Sequence, residues 1–533
     1  MGAKQDVSQA VASTLWNPTQ GLITVLPPHA IPDLATAECD NFYGFEGKLR
    51  PRPGWSVALA TVPGSATNIV YGLAEHVAMS GTRTIVALTQ DYTTGAVKFY
   101  EWTGAAWTDR TGAVVLTGSV SAPYHPTFAN FKGVLYFTTG LQGMAQWTGP
   151  GNTITLTTNT DPLLAPFDKP KIVISWDGRL FTFNSDDAPS AGNPVPPRVA
   201  WSDFLDGTIW QGGLLGGSAG FQDLYYGDDS SDGITAAIDL KDNLLVWKPR
   251  SMYAGVNTGD AKFYEFRPIF RDIGCVGQNT VRRLQDTVIW LGYDNVYMME
   301  GLQKPEPIGD LIRTHIQAVT YTKFVKYAHA VIDPIRQLYH LFMPDLTSTS
   351  SSNHQLKWFI FNMREKSWWE GTIANFNIQP YSSVVVYTYP FDCAIYCGSI
   401  DQKVYKLDHS VYTDSGTKYT CRWVSKLFDA GKLFKTSSSA TGAHEFDTFQ
   451  IQKLAVMAQS GKCKTQLRMG PSLDQTRLTD VLSLDFRGIK SDRYVTFRDG
   501  DRFVQLILTE TDLTAPAEVE GLTMHIQARG MVI

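Results

Sequence analysis

Between Asp286 and Gly301 the chain reads DTVIWLGYDNVYMMEG. Apolar and polar residues alternate, break at Gly292-Tyr293-Asp294-Asn295, and resume as Val-Tyr-Met-Met. Alternation with a period of two marks a strand with one buried face, and a polar break between two such runs marks a β-hairpin. The pattern recurs. GVLYFTTGLQGMAQWTG (Gly133 to Gly149), CAIYCGSIDQKVYKLD (Cys393 to Asp408) and TIVALTQDYTTGAVKFYEWTG (Thr84 to Gly104) have the same form. Weaker copies are RLFTFN followed by RVAWSD (Arg179 to Asp203), LLVWKPRSMYAG (Leu244 to Gly255), and QLYHLFM followed by KWFIFN (Gln337 to Asn362). The first strands fall at residues 84, 134, 179, 244, 287, 338 and 394, a mean step of about 52, close to the period of propeller blades.

One twisted hairpin cannot bury its apolar face alone. Radial stacking of four-stranded blades buries it and leaves only short edges. The repeated hairpin therefore predicts the middle of a blade. The expected fold is all-β: a β-propeller of about seven blades, six to eight being compatible, over residues 66–435. Residues 1–65, with LPPHAIPDLATAECDNFYGFEGKLRPRPGW, predict an extended Pro-rich segment carrying one short hairpin around Gly44 to Gly47. Residues 436–533 follow the Ser-rich break KTSSSATGAHE and alternate as five or more strands, which predicts a C-terminal β-sandwich-like domain. One short helix is expected at Asp310 to Val319, with Asp310 as its N-cap.

Composition agrees with this picture. The chain has 533 residues, 12% of them aromatic and only 18% charged, and its 45 Gly and 27 Pro are spread along it, as many short strands with tight turns require. The net charge of −5 gives no global signal for gripping nucleic acid, and Arg282-Arg283 is the notable basic pair. There is no run of eighteen apolar residues, so no membrane insertion is expected. The start, MGAKQDVSQAVAS, has no apolar signal-peptide stretch, and Asp6 stands where myristoylation wants Ser or Thr. Synthesis in a cytosol is the expectation. Cys393 and Cys397 share one predicted strand at roughly 13 Å, too far for a disulfide. With Cys39, Cys275, Cys421 and Cys463 they are expected to be buried free thiols.

Sites of chemistry are hard to find. The phosphate loop Gly-x-x-x-x-Gly-Lys-Ser/Thr is absent. GGLLGGSAG (Gly212 to Gly220) does not lie between a strand and a helix and reads as a loop. There is no His-Glu-x-x-His and no Cys-x-x-Cys, and DDSSDG (Asp228 to Gly233) lacks the later Glu of a calcium loop. SWDGRLF (Ser175 to Phe181) and YTDSGTKY (Tyr412 to Tyr419) are near misses of the Asp-box of propeller sialidases. Trp201, Trp210, Trp358, Trp368 and Trp369 are read as blade core, with a sugar platform as the alternative. No catalytic, cofactor-binding or metal-binding residue is assigned.

Several phrases resemble the tail nozzle proteins of short-tailed bacteriophages, also called tail tubular or packaged-DNA stabilisation proteins. AECDNFYGFEGKLRPRPGW is similar to the family's N-terminal signature through Asn41, Gly47, Leu49, Arg52 and Gly54. PPRVAWSDFLDGTIW is similar to its Arg-Val-x-Trp-Ser-Asp phrase through Arg198, Val199, Trp201, Ser202 and Asp203. DNLLVWKPRSMYAG and DIGCVGQNTVRRLQDTVIWLGYDNVYMMEG resemble the strand pairs that follow, with Asp294-Asn295 replacing a more usual Asp-Gly. The match spans roughly residues 20–310.

The resemblance implies a virion protein made in the host cytoplasm, without catalytic residues or cofactors. It implies a hexameric ring of identical subunits below the portal and adaptor complex, contact with tail fibres or spikes, and transient non-specific contact with passing double-stranded DNA. A conduit must not hold its cargo. Lys and Arg contacts to phosphate are sticky and additive, so an acidic chain suits that task. Two other readings stay open: a carbohydrate-binding propeller in a receptor-binding tail part, and a propeller glycosidase, for which no opposed carboxylate pair can be singled out by sequence.

Overall fold

The computed structural model describes residues 11–16, 20–64, 67–118, 125–157, 168–187, 193–210, 217–225, 231–260, 263–320, 325, 327–344, 356–375, 377–388, 392–429, 449–458, 462–473, 476–485, 493–496, 503–511 and 518–528. Within them lie seven antiparallel blades. Their innermost strands are Asn68–Val77, Thr127–Phe131, Ile172–Trp176, Ala236–Leu240, Arg282–Leu284, His329–Asp333 and Ser382–Thr388. Each packs beside the next, and Ser382–Thr388 returns to Asn68–Val77, so the strands form a closed ring.

The hairpins read from sequence are the second and third strands of each blade. Thr287–Leu291 pairs with Val296–Glu300, Val134–Thr138 with Ala145–Trp147, and Asp392–Gly398 with Val404–Asp408. Their apolar signal is strong because both faces are packed: Leu135, Phe137 and Trp147 are buried between the first and second blades, and Trp290 and Met299 between the fourth and fifth. The innermost strands gave a weaker signal because one of their faces looks into a polar channel.

The ring closes with strands that are far apart in sequence. Gly54–Leu59 is the outer strand of the seventh blade, antiparallel to Val404–Asp408. Two further six-stranded sheets lie outside the propeller. One holds Phe42–Phe45, Lys48–Pro51, Phe449–Ala458 and Val519–Ala528. The other holds Thr36–Asp40, Cys421–Asp429, Lys462–Gly470 and Phe503–Glu510. Cys39, Phe42, Leu49, Trp423, Val456, Leu467, Leu506 and Val519 join one buried cluster with Trp358, Phe361 and Trp368 of the sixth blade. This body is therefore packed directly on the propeller.

Strand pairing reaches across both boundaries drawn from the sequence. Residues before 65 hold the strand that closes the propeller and strands of the two outer sheets, and Cys421–Asp429 pairs with Phe503–Glu510. Partners hundreds of residues apart leave no local composition change to read. The short helix is present as Arg313–Thr320, after a 3-10 turn at Asp310–Ile312. Asp310 is not its N-cap. It is the first residue of the 3-10 turn, whose N-cap is Gly309, and its carboxylate accepts from the Asn295 amide at 2.6 Å.

Candidate functional site

The innermost strands enclose a cavity of about 710 Å³ on the propeller axis. Every blade contributes to its wall, including Tyr71 and Glu75, Asn130, Ser175, Asp239, Arg282 and Arg283, His329, and Ser382. The innermost strands all leave the channel in the same chain direction. One end therefore gathers residues at their starts and the other gathers residues at their ends.

At the starting end, His125, just before the second blade, faces His329 of the sixth blade, with ring centroids 6.2 Å apart. These blades are not neighbours, so the contact crosses the channel. His329 is buried at 1% exposure and stacks on Phe342 at 4.8 Å. Neither of its ring nitrogens has a hydrogen-bond partner. Burial first, then His125 and Arg282, hold this imidazole neutral, well below its ordinary range; the Tyr327 backbone pulls the other way without reaching hydrogen-bond geometry. Arg282 donates to the Val281 carbonyl at 2.7 Å. Burial pushes its guanidinium down to about 10. The Tyr71 hydroxyl also ends in the wall buried and without a partner.

At the opposite end the charges are matched. Glu75 binds Arg83 at 2.6 Å, and its carboxyl is raised by burial against the opposing pull of that arginine. Asp239 binds Arg283. Back toward the starting end, Gln278, just before the fifth blade, is occupied at both ends of its amide by the Ala237 backbone, at 2.7 and 2.8 Å. Among the described residues no group of three or more His, Cys, Asp or Glu converges in a way that could hold a metal.

The features singled out in the sequence fall elsewhere. Trp201, Trp210, Trp358, Trp368 and Trp369 are all buried, so none offers a sugar platform at the surface. Asp177-Gly178 in SWDGRLF and Ser415-Gly416 in YTDSGTKY are tight hairpin turns with positive φ at both central residues. Asp177 accepts from Tyr264 and Asn257, and Asp414 binds Arg52. All six cysteines are free, five of them buried and Cys393 half-buried. Residues 212–216 of the Gly-rich loop and 228–230 of DDSSDG lie outside the described residues, and Asp232 pairs with Arg250.

His125, His329 and Tyr71 were not singled out from the sequence. They sit on different blades and share no spacing. Only the place of His329 at the head of a weak alternating run, and the Arg282-Arg283 pair, left any trace.

The phrases of the nozzle resemblance have clear structural roles. Arg52 is fully buried. It grips Asp414 with two bonds of 2.9 and 2.7 Å, binds Asn41 at 2.7 Å, and reaches the Pro53 and Thr372 carbonyls. Its guanidinium lies over the Tyr419 ring at 3.8 Å, and the Tyr419 hydroxyl donates to the Arg52 carbonyl. Gly54 sits so close to Thr413 that a Cβ would meet its carbonyl oxygen at 2.3 Å. In the third blade, Arg198 holds Asp223 at 2.7 Å, Ser202 accepts from the Leu180 amide, and Asp203 accepts from Ser218.

No protein-family model matches the chain, and no curated protein sequence matches it. Solved structures do. YCF48 from Cyanidioschyzon merolae aligns with a TM-score of 0.37 at 8% identity, over 67% of this chain and 99% of that one. The apo AztD structure from Citrobacter koseri gives 0.34 at 12%, over 73% and 89%. YCF48 bound to a D1 peptide gives 0.37 at 9%, over 67% and 97%.

Proposed function

We propose that this chain is a structural subunit of the tail nozzle of a short-tailed bacteriophage, one of six copies that ring the path by which the genome is retained and then leaves. The observation that supports this is where the resembling phrases fall. Asn41, Leu49, Arg52 and Gly54 form the joint between the two-sheet body and the sixth and seventh blades. Arg198, Ser202 and Asp203 fasten the outer part of the third blade. A resemblance carried by joint residues points to a shared build rather than to shared catalysis.

The channel favours the same reading in one respect. Rings 6.2 Å apart across it leave no room for a duplex, whose major groove alone is about 12 Å wide. A conduit for DNA must then lie between copies, as in a ring. The net charge of −5 suits a surface that lets phosphates slide past.

The test is mass photometry of the chain alone and with the portal–adaptor complex of its phage, with proteomics of purified particles. Six copies added per complex, and the chain present in particles, are the expected results. A chain missing from particles, or one that stays monomeric beside the complex, overturns the proposal. Saturable binding on a glycan array in their place supports the receptor-binding reading.

A further inference from the structure

We propose that the starting end of the propeller channel is a binding site for a small oxyanion, a phosphate or carboxylate group, held by Arg282 with His329 as a second donor. The argument begins with charge. The carboxylates in the cavity wall are Glu75 and Asp239, and each already has its own arginine, Arg83 and Arg283. Arg282 lines the same cavity and has no carboxylate within ion-pair distance among the described residues; its one hydrogen bond goes to a neutral backbone carbonyl. A guanidinium that is partly withdrawn from water and faces a cavity without a counter-charge is poorly solvated, and an entering anion relieves that.

The second observation is independent. His329 lines this cavity at 1% exposure with both ring nitrogens unpartnered. A buried polar group without a partner is uncommon enough to require an explanation, and a ligand is one. His329 begins the sixth blade and Arg282 begins the fifth, so the two donors approach from adjacent walls. Asn279, also in the wall, adds an amide. Glu75 and Asp239 belong to the later parts of their strands, and although Asp239 lies beside Arg283, the neighbour of Arg282, its charge is matched by that arginine, as that of Glu75 is by Arg83.

Arginine is suited to the role. Its planar fork matches the two oxygens of a carboxylate or two of the oxygens of a phosphate. The cavity volume lies within the range of small-molecule sites, about 300–1,000 Å³. A small molecule carrying such a group fits, and the inference does not depend on the nozzle role.

Isothermal titration calorimetry in an oxyanion-free chloride buffer, with inorganic phosphate and with acetate as separate titrants, tests the site and distinguishes the two groups. One saturable event per chain is expected for at least one anion. Arg282→Gln should weaken it at least tenfold and His329→Gln severalfold, whereas Arg250→Gln on the surface should leave it within about twofold. A reading that needs no variant is the melting temperature of the unaltered chain in phosphate or acetate against chloride at equal ionic strength. A saturable rise with one anion supports the site. Absence of saturable binding and of any melting shift with both anions overturns it. An Arg282→Gln chain that melts normally and binds as tightly as the unaltered chain overturns it too.

Discussion

The most consequential residue for the fold is Arg52. It is a fully buried charge whose five hydrogen bonds reach the N-terminal segment, the end of the sixth blade and Asp414. Removing one member of a buried pair leaves the other unpaired in a low-dielectric interior, at a cost of roughly 3–5 kcal/mol. Arg52→Ala should lower the stability read by urea unfolding by about that amount, and a drop below about 1 kcal/mol would show that water replaces the guanidinium. His340 makes a prediction about pH. Its ring is fully buried, takes a hydrogen bond from Trp358 at 3.1 Å, and is pushed by burial down to about 3. The unfolded chain protonates this histidine first, so its contribution is whole above pH 6.5 and falls away as pH drops toward 3. At pH 5 the loss is about 2 kcal/mol. The difference in urea stability between pH 7.5 and pH 5 should therefore be larger for the unaltered chain than for His340→Gln. Equal differences would remove His340 as the cause.

At the scale of elements, the strand Gly54–Leu59 decides whether the ring is closed. Its first residue passes so near the Thr413 backbone that any side chain must push the strand away. Gly54→Ala should cost about 1–3 kcal/mol, the usual range for overpacking. Gly143→Ala faces open space and should be neutral within about 0.5 kcal/mol. Thermal unfolding of the two variants side by side gives the comparison, and equal melting temperatures would mean that the closing strand yields freely. Elements also show where sequence reading worked. The Asp294-Asn295 turn is a four-residue loop closed by the Gly292 amide on the Asn295 carbonyl at 2.8 Å. Asn295 is buried because its side chain accepts from the Val296 and Gly309 amides. A residue that departs from the usual glycine there is thus tied to the helix turn at Asp310, a link fifteen residues away that turn chemistry alone does not contain.

At the scale of the whole molecule, the two-sheet body joins sequence-distant parts to the propeller, and its loss can be foreseen. Deleting the chain from Phe446 removes Phe503–Glu510, one of the two strands paired with Cys421–Asp429, and exposes Trp423 and Phe428, now buried. The truncated chain should keep the circular dichroism of a β-propeller and show red-shifted tryptophan emission, and on the proposed nozzle role it should fail to join the tail complex. Normal assembly by this variant in mass photometry would assign the ring contact to the propeller instead.

The hydrophobic pattern by itself determined the all-β class, the seven hairpins and the strands after residue 449, because period-two burial within a strand is a local property written into neighbouring residues. The family resemblance, not the pattern, singled out Asn41, Arg52 and Gly54 as members of a phrase, without saying what they touch. Only the tertiary structure decided that Gly54–Leu59 closes the seventh blade, that Thr36–Asp40 pairs with Cys421–Asp429, and that Arg52 meets Asp414. It alone brought His125, Arg282 and His329 to one cavity. Those relations join residues hundreds of positions apart or place single side chains from separate blades around an axis, and a closed ring produces them through geometry that no local spacing records.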